Sequence, residues 1–180
     1  MLGVEGDKPQ RGLFSAINKQ KEDPSKYNPT IFVTNQTINL MALVDLLSLC
    51  CEGKSDVAEQ KCQTEVITLE NAYRIIEACD YFWPMKRTFV DYVWQTFLDS
   101  NSKTIFVEPY DGNVKLAWKI AEVVLNDMIN IIDSADKKAD KEVYIKFPYK
   151  SATTARSESV IFATESIFPY FKYMMKRKDI

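Results

Sequence analysis

The chain has 180 residues, of which 46% are hydrophobic and 27% charged, and its net charge is −2. This length fits one domain of ordinary size, and the apolar fraction is sufficient to bury a core. The near-neutral balance excludes a dominant basic surface or a polyacidic tail, so no nucleic-acid partner is predicted.

Residues 1–34 are interpreted as a loosely ordered leading segment because they are polar and rich in turn-forming residues, with one short turn expected at 13–17. A helical domain is predicted for residues 35–180. Its first helix begins near Asn35 or Thr37, either of which can cap it, and ends where Gly53 and Lys54 suit a helix C-terminus. Its apolar positions recur three and four residues apart, and two further leucines widen the stripe so that burial on more than one side is expected: Leu40, Leu43, Val44, Leu47, Cys50, Leu46 and Leu49.

Two helices are predicted next, a short one from Ser55 and one capped by Thr68 with Glu70 in its first turn. Trp83-Pro84 then opens a further helix, because proline is tolerated in the first turn. The apolar face of the helix capped by Thr68 is expected to comprise Leu69, Ala72, Tyr73, Ile76 and Cys79. That of the helix beginning at Trp83-Pro84 is expected to comprise Met85, Phe89, Tyr92, Val93 and Phe97.

A loop over 99–110 is predicted to precede the longest helix, Asp111 to Asp133. A polar stretch follows it, then an extended connector at 143–147 and a last helix over 157–176 with a bend at Pro169. The seam of the longest helix is expected to comprise Val114, Ala117, Trp118, Ala121, Val124, Leu125, Met128, Ile131 and Ile132. Helices joined by short links, without alternating strands, predict an all-α fold, either an armadillo-like helical solenoid fragment or an irregular helical bundle.

Catalytic and cofactor sites are not predicted. The chain has no histidine, which removes serine–histidine and cysteine–histidine machinery. Only Gly53 and Gly112 occur after residue 12, and no glycine-rich phosphate-binding loop is present. No enzyme activity, catalytic residue or cofactor is therefore expected.

No metal site is predicted either. The four cysteines, at 50, 51, 62 and 79, form no Cys-x-x-Cys pair, which favours reduced thiols in a cytosolic setting. Cys50 falls on the predicted buried stripe, where it is expected to pack as a small apolar residue. Asp133, Asp136 and Asp140 lack the glycine and terminal glutamate of a calcium-binding loop and are interpreted as a solvated linker.

Two further clusters have simple structural interpretations. Tyr81-Phe82-Trp83 and Trp94 are expected to pack between helices rather than form a binding surface. The basic run 176–178 is expected to be a solvated helix end rather than a phosphate or lipid site. No apolar run reaches the roughly 18 to 20 residues that span a bilayer, so no membrane span is predicted.

One stretch resembles a known family. Leu46 to Lys54, with its Leu-Leu-x-x-Cys-x-Glu-Gly-Lys pattern, is similar to a signature in the cytosolic helical region of inositol trisphosphate receptors, which are intracellular calcium-release channels. The resemblance covers roughly residues 40–100. It continues through a Glu-x-Lys-Cys run, an apolar helix with one arginine, and a lysine–aromatic helix: Glu59, Lys61, Cys62, Leu69, Ala72, Tyr73, Arg74, Ile75, Ile76, Lys86, Phe89, Tyr92 and Asp99.

The chain departs from the family pattern in a few places, which indicates a divergent member. Cys51 replaces a usual threonine, Ser55 a usual asparagine, Gln60 stands at an apolar position, and no proline precedes Leu69. Ryanodine receptors share the domain type but match less well at 52–54.

The resemblance implies an armadillo-like solenoid within a tetrameric channel, on the cytosolic face of the endoplasmic reticulum or a related calcium store. Its partners would be neighbouring domains or subunits of the same channel. Its role would be allosteric coupling of ligand binding to pore opening, with no ligand or calcium residue carried over. Two alternatives remain open: a freestanding helical-repeat scaffold that binds other proteins, and an unrecognised enzyme that uses carboxylates.

Overall fold

The computed structural model describes residues 35–79, 82–101, 112–136, 158–177 and 180. These residues form helices and short links and contain no strand, which confirms the all-α prediction. The predictions for 1–34, 102–110 and 143–147 lie outside them. The helical elements are α1 (Asn35–Glu52), α2 (Asp56–Lys61), π1 (Cys62–Val66), α3 (Leu69–Ala78), α4 (Trp83–Val93), π2 (Trp94–Leu98), α5 (Gly112–Asp136), π3 (Ala163–Ile167) and α6 (Phe168–Lys176), and residues 158–162 are also helical.

Local capping explains where the middle helices begin. The Ser55 side chain accepts a hydrogen bond from the Ala58 amide (3.5 Å), and Thr68 accepts one from the Asn71 amide (3.3 Å). Pro84 lies in the first turn of α4, where its missing N–H costs nothing. The predicted starts of α2, α3 and α4 are confirmed, whereas α5 extends to Asp136, three residues into the stretch predicted to be a break.

The bundle is organised around α4, of whose eleven residues eight are buried. Helix α1 packs on α4 and π2, α4 packs on α3, and α3 packs on α5. Helix α6 contacts π2, π3 and α4, and no extensive contact joins α1 to α5. The fold is therefore an irregular helical bundle in which α1 and α5 lie at the two ends of one packing series, while a continuing solenoid stays a prediction.

The predicted burial of α1 on more than one side is wrong. Its buried residues follow one stripe: Thr37, Val44, Ser48 and Cys51. Leu43, Leu46 and Leu49 are exposed, Leu49 to 60%. The reason is that α1 contacts α2, α4 and π2 through a single side, and its opposite side faces solvent although it is apolar.

The predicted seam of α5 is also partly wrong. Ala117, Ala121 and Val124 are buried together with Ile120, but Trp118, Leu125 and Ile132 are exposed. Helix α5 packs on α3 and π3, and the carbonyl of its small residue Ala117 accepts a hydrogen bond from Tyr170 of α6. The larger apolar side chains on the neighbouring side of the helix are left in solvent.

The last helical region contains π3 directly before Pro169, where a bend was predicted. Proline has no N–H, and its ring clashes with the carbonyl four residues earlier in an α-helix. A wider π-helical turn at that point changes the local hydrogen-bond ladder and so accommodates the proline. The bend itself stays a prediction.

Candidate interaction surfaces

Carbonyl groups at the end of π2 are satisfied by side chains from three other parts of the chain. The last turn of a helix leaves such groups without intrahelical donors. Gln63 donates to the Thr96 carbonyl at 2.6 Å, Lys54 donates to the Asp99 carbonyl at 2.5 Å, and Arg177 donates to the Phe97 and Ser100 carbonyls at 3.0 and 3.2 Å. We call this set of contacts the π2 junction; it ties the ends of α1, π1 and α6 to one point.

A buried carboxylate lies next to the π2 junction. Glu59 is fully buried, and the Ser100 hydroxyl donates to its Oε2 at 2.6 Å. Gln63 donates in turn to the Ser100 hydroxyl at 3.1 Å, while Glu59 Oε1 has no hydrogen-bond partner. The resulting chain from Gln63 to Glu59 holds α2 and π1 against the end of π2.

Lys54 occupies an unusual backbone conformation at the end of α1. Its φ angle is 56°, in the left-handed region, whereas no described glycine has a positive φ. The expected terminating role of Gly53 therefore falls to Lys54, whose amide bonds to the Cys51 carbonyl at 3.0 Å. The Lys54 ammonium also pairs with the Asp99 carboxylate, which explains why lysine is accommodated where glycine is usual.

Substitutions at Lys54 separate its backbone strain from its ion pair. Lys54→Ala and Lys54→Gly both remove the bonds to Asp99, but only glycine adopts a positive φ without steric cost. We expect the alanine variant to be less stable than the glycine variant by about 1 kcal/mol in urea unfolding. Gly53→Ala should be nearly neutral, because a Cβ built there meets nothing within 4 Å. Equal stabilities for the two Lys54 variants would contradict the strained assignment.

A buried ion pair joins α4 to α5. Lys86 is 1% exposed and Asp127 is 8% exposed, and Lys86 Nζ lies 2.7 Å from Asp127 Oδ2. The ammonium also lies 5.7 Å from the centroid of the Trp83 ring. Charges in such a site are tolerated only when paired, so this contact fixes how α5 is positioned on the bundle.

Two buried tyrosine hydroxyls connect other elements. Tyr92 Oη lies 2.9 Å from the Cys62 carbonyl and 3.1 Å from that of Ile67, and Tyr170 donates to the Ala117 carbonyl at 2.7 Å. Burial raises the pKa of both phenols well above the ordinary value of 10. Both hydroxyls therefore remain protonated donors at neutral pH and serve as structural links.

Asp91 is the titratable group in the described structure that is shifted toward neutral pH. Burial raises the pKa of its carboxyl from 3.8 to about 6, although the Ser166 hydroxyl, the Trp94 indole and Arg87 favour the charged form. The Trp94 Nε1–H donates to Asp91 Oδ1 at 3.0 Å. The Asp45 carboxylate of α1 lies close enough to contribute a further, smaller rise.

Stability should fall as pH rises through the range in which Asp91 titrates. Its folded pKa of about 6 exceeds the ordinary 3.8, so between these values the native state binds a proton that the unfolded chain releases. We expect Asp91→Asn to be more stable than the parent at pH 7 by on the order of 2 kcal/mol, and the difference to vanish near pH 4. Urea unfolding at both pH values checks this. A stability difference that is the same at both would show that Asp91 does not titrate in that range.

The cysteines are reduced, and one is placed differently from the prediction. Cys50, predicted to be buried, is exposed, whereas its neighbour Cys51 is buried because α1 packs through the stripe that contains Cys51. Burial, together with the nearby Cys51, raises the pKa of the Cys62 thiol to about 12. A thiol that stays protonated is a poor nucleophile, so Cys62 serves packing.

The aromatic cluster packs as predicted. Trp83 stacks on Phe162 with ring centroids 5.4 Å apart, and Trp94 stacks on Tyr173 at 5.0 Å. Phe82 is buried as well, and Tyr81 lies outside the described residues. The described rings are therefore used in helix packing, with Trp94 left half-buried.

The structure describes part of each of the two charged clusters that were singled out in the sequence, and it corrects one of the two interpretations. Of the basic run 176–178, Lys176 is exposed, but Arg177 is half-buried in the π2 junction, which corrects the interpretation of a wholly solvated end. Asp133 is exposed on α5, and the side chains of Asp136 and Asp140 lie outside the described residues. Within the described ranges, no group of three or more cysteine, aspartate and glutamate side chains is placed to hold a metal ion.

Two exposed apolar surfaces remain at the ends of the packing series. The outer α1 face comprises Ile38, Ala42, Leu43, Leu46, Leu49 and Cys50, and the outer α5 face comprises Trp118, Leu125, Ile129 and Ile132. Sequence reasoning assigned most of these residues to the core. An apolar pattern continuing round a helix signals burial on both sides, but it does not identify what covers the second side.

Over the same ranges, no helix combines the length and apolar character that crossing a membrane requires. Compared with known proteins, the chain matches no family model and no solved structure.

Proposed function

We propose that this chain is a non-catalytic helical segment of an inositol trisphosphate receptor-like calcium-release channel, which transmits ligand-induced motion toward the pore. The observation that carries the proposal is that α1 and α5, at opposite ends of the packing series, both turn apolar faces to solvent. A terminal repeat of a helical array needs a polar outer side, whereas an internal one is apolar on both sides.

The residues that resemble the receptor family support this proposal because several of them meet in space. Lys54 pairs with Asp99, and Tyr92 lies at hydrogen-bonding distance from the Cys62 carbonyl. Glu59 is bonded to Ser100, next to Asp99. Positions separated by up to 45 residues in sequence thus build one junction. The resembling residues thus have a common structural role in this chain.

Coupling by this segment would use rigid-body motion. The π2 junction ties α1, π1 and α6 together, and the Lys86–Asp127 pair ties α4 to α5. A displacement applied at the outer α1 face is therefore carried to the outer α5 face through a packed body. Such blocks couple distant sites when each face contacts a neighbouring domain or subunit.

The proposal is tested first by sequencing the full transcript. Several apolar spans of about 20 residues far downstream, with a basic ligand-binding region upstream, are expected. A transcript that ends near Ile180 would refute the channel. It would favour the alternative, a freestanding helical scaffold, which the same two apolar faces also support and whose partners a pull-down would identify.

The second test uses the full-length channel. Leu47 packs against the core from α1, and Leu47→Asp should weaken ligand-evoked calcium release because it loosens α1 from α4. Ligand affinity measured on an isolated upstream ligand-binding region should be unchanged. Normal calcium release from a stably expressed mutant would contradict a coupling role.

A further inference from the structure

The outer α1 face and the outer α5 face differ in charge. The only charged residues of α1 are Asp45 and Glu52, and both are exposed. The N-terminal half of α5 presents two exposed lysines, Lys115 and Lys119, beside Trp118. The exposed acid Glu122 lies about one turn beyond Trp118, so the region around this tryptophan carries two bases and one acid, whereas the α1 face is bordered by acids alone.

The apolar residues of each face form a continuous strip. Trp118, Leu125, Ile129 and Ile132 are spaced seven, four and three residues apart, which places them on one side of α5. Ile38, Ala42, Leu46 and Leu49 are spaced four, four and three apart on α1. At 1.5 Å per residue, α1 is about 27 Å long and α5 about 38 Å long, so one strip can lie along the other.

We propose that the outer α1 face of one copy of this chain binds the outer α5 face of a second copy, with the two helices antiparallel. In that orientation Asp45 and Glu52, in the C-terminal half of α1, lie over the basic N-terminal half of α5, and the helix dipoles oppose each other. Leu46 and Leu49 lie near Trp118. This pairing is an alternative to burial of the same two faces by adjoining repeats of one polypeptide, so it applies to the 180-residue chain by itself and to a freestanding scaffold.

Other pairings of the two faces bring like charges together or leave more apolar surface in water. Two α1 faces together bring only acids to the interface, which is repulsive. Two antiparallel α5 faces would bring Lys115 close to Asp133, but they leave both α1 faces in water. Glu122 also lies on the α5 strip, and Lys119 already lies 5.6 Å from the Tyr73 ring. Lys115 is therefore the main α5 residue that would attract Asp45 and Glu52.

The pairing is heterologous, because each copy contributes a different face to each contact. Such contacts produce rings when the rotation closes and open chains when it does not. A single helix-on-helix contact buries less than the roughly 800 Å² per partner of a standard interface, so dissociation constants in the micromolar range are expected. Association should therefore be visible only at high protein concentration.

Sedimentation velocity of the 180-residue chain, from about 1 to about 300 µM, tests the proposal at concentrations suited to a small interface. The parent should form dimers and larger species as concentration rises. Leu46→Asp removes one face and Trp118→Asp removes the other, so each variant alone should stay monomeric. A mixture of the two variants should form a 1:1 dimer and nothing larger, because only one competent contact remains.

Controls separate loss of binding from loss of folding. Met175 is 79% exposed outside both faces, and Met175→Asp should associate as the parent does. Leu49→Asp provides a second α1 variant, and each variant's unfolding midpoint should match that of the parent. Lys115→Glu should weaken association about tenfold, and Glu52→Lys on the partner copy should restore it, as expected for complementary rim charges.

Three outcomes would overturn the proposal. A parent that stays monomeric over the whole range would show that the faces do not bind each other. Loss of association with Trp118→Asp but not with Leu46→Asp would show an α5–α5 dimer instead. Two variants that fail to form a dimer when mixed would exclude a contact between unlike faces. None of these results would decide the channel assignment, which depends on the transcript.

Discussion

Replacing Lys86 with methionine is expected to destabilise the protein by about 3–5 kcal/mol, because it leaves the Asp127 carboxylate buried without its 2.7 Å partner. A loss of this size is a large fraction of the roughly 5–15 kcal/mol by which a domain is stable. The double variant Lys86→Met/Asp127→Leu should recover most of the loss, since apolar side chains of similar volume replace both charges. Urea unfolding of the parent, the two single variants and the double variant measures the coupling.

The exposed pair on α3 is the matched control for this cycle. Arg74 and Glu70 lie 2.5 Å apart, but their side chains are 62% and 57% exposed. Solvent screens such pairs, so Arg74→Met should cost less than about 1 kcal/mol. If Lys86→Met cost no more than Arg74→Met, the Lys86–Asp127 contact would not be the buried link between α4 and α5 that we describe.

Phe89→Ala is expected to destabilise the protein by about 3–5 kcal/mol, because it removes a fully buried ring from α4 at the centre of the bundle. Neighbours on α1, α3 and α6 all pack against α4 and cannot all move to fill the cavity. Phe168→Ala provides the control: Phe168 is exposed, and its truncation should cost less than about 1 kcal/mol. Urea unfolding measures both variants.

A small loss for Phe89→Ala would contradict the central position of α4. A large loss for Phe168→Ala would show instead that the ring is covered in solution. The second result bears on the arrangement of α6, because Phe168 begins that helix.

The middle of the chain was predictable from sequence because its signals are local. Ser55 and Thr68 cap helices through amides only three residues away, and Pro84 is accommodated in the first turn of α4. The apolar faces of α3 and α4 were also predicted correctly, with Leu69, Ile76 and the whole α4 stripe buried. On α3 only one side is apolar enough to compete for burial, so the period identifies it, whereas α4 is buried nearly all round and its predicted stripe is part of that buried surface.

The contacts that build the π2 junction and the ion pair were not predictable. Lys86 and Asp127 are 41 residues apart, and Arg177 reaches the Phe97 carbonyl across 80 residues. A lysine on a predicted helix is normally assigned to solvent, and nothing in its neighbours indicates a distant aspartate. The left-handed backbone of Lys54 was not predictable either, because the preceding Gly53 is the residue type that usually adopts a positive φ.

The sequence by itself determined the helical class, the caps, and the absence of histidine and phosphate-binding glycines, since these depend on residues within one or two turns of one another. Only the tertiary structure decided which side of α1 and of α5 is buried. Both helices are apolar on more than one side, and burial free energy depends on the area removed from water rather than on which side is chosen. The choice therefore follows from the neighbours: α1 packs on α4 and π2, and α5 packs on α3 and π3 and bonds to Tyr170 through the Ala117 carbonyl, which leaves Leu46 and Trp118 exposed.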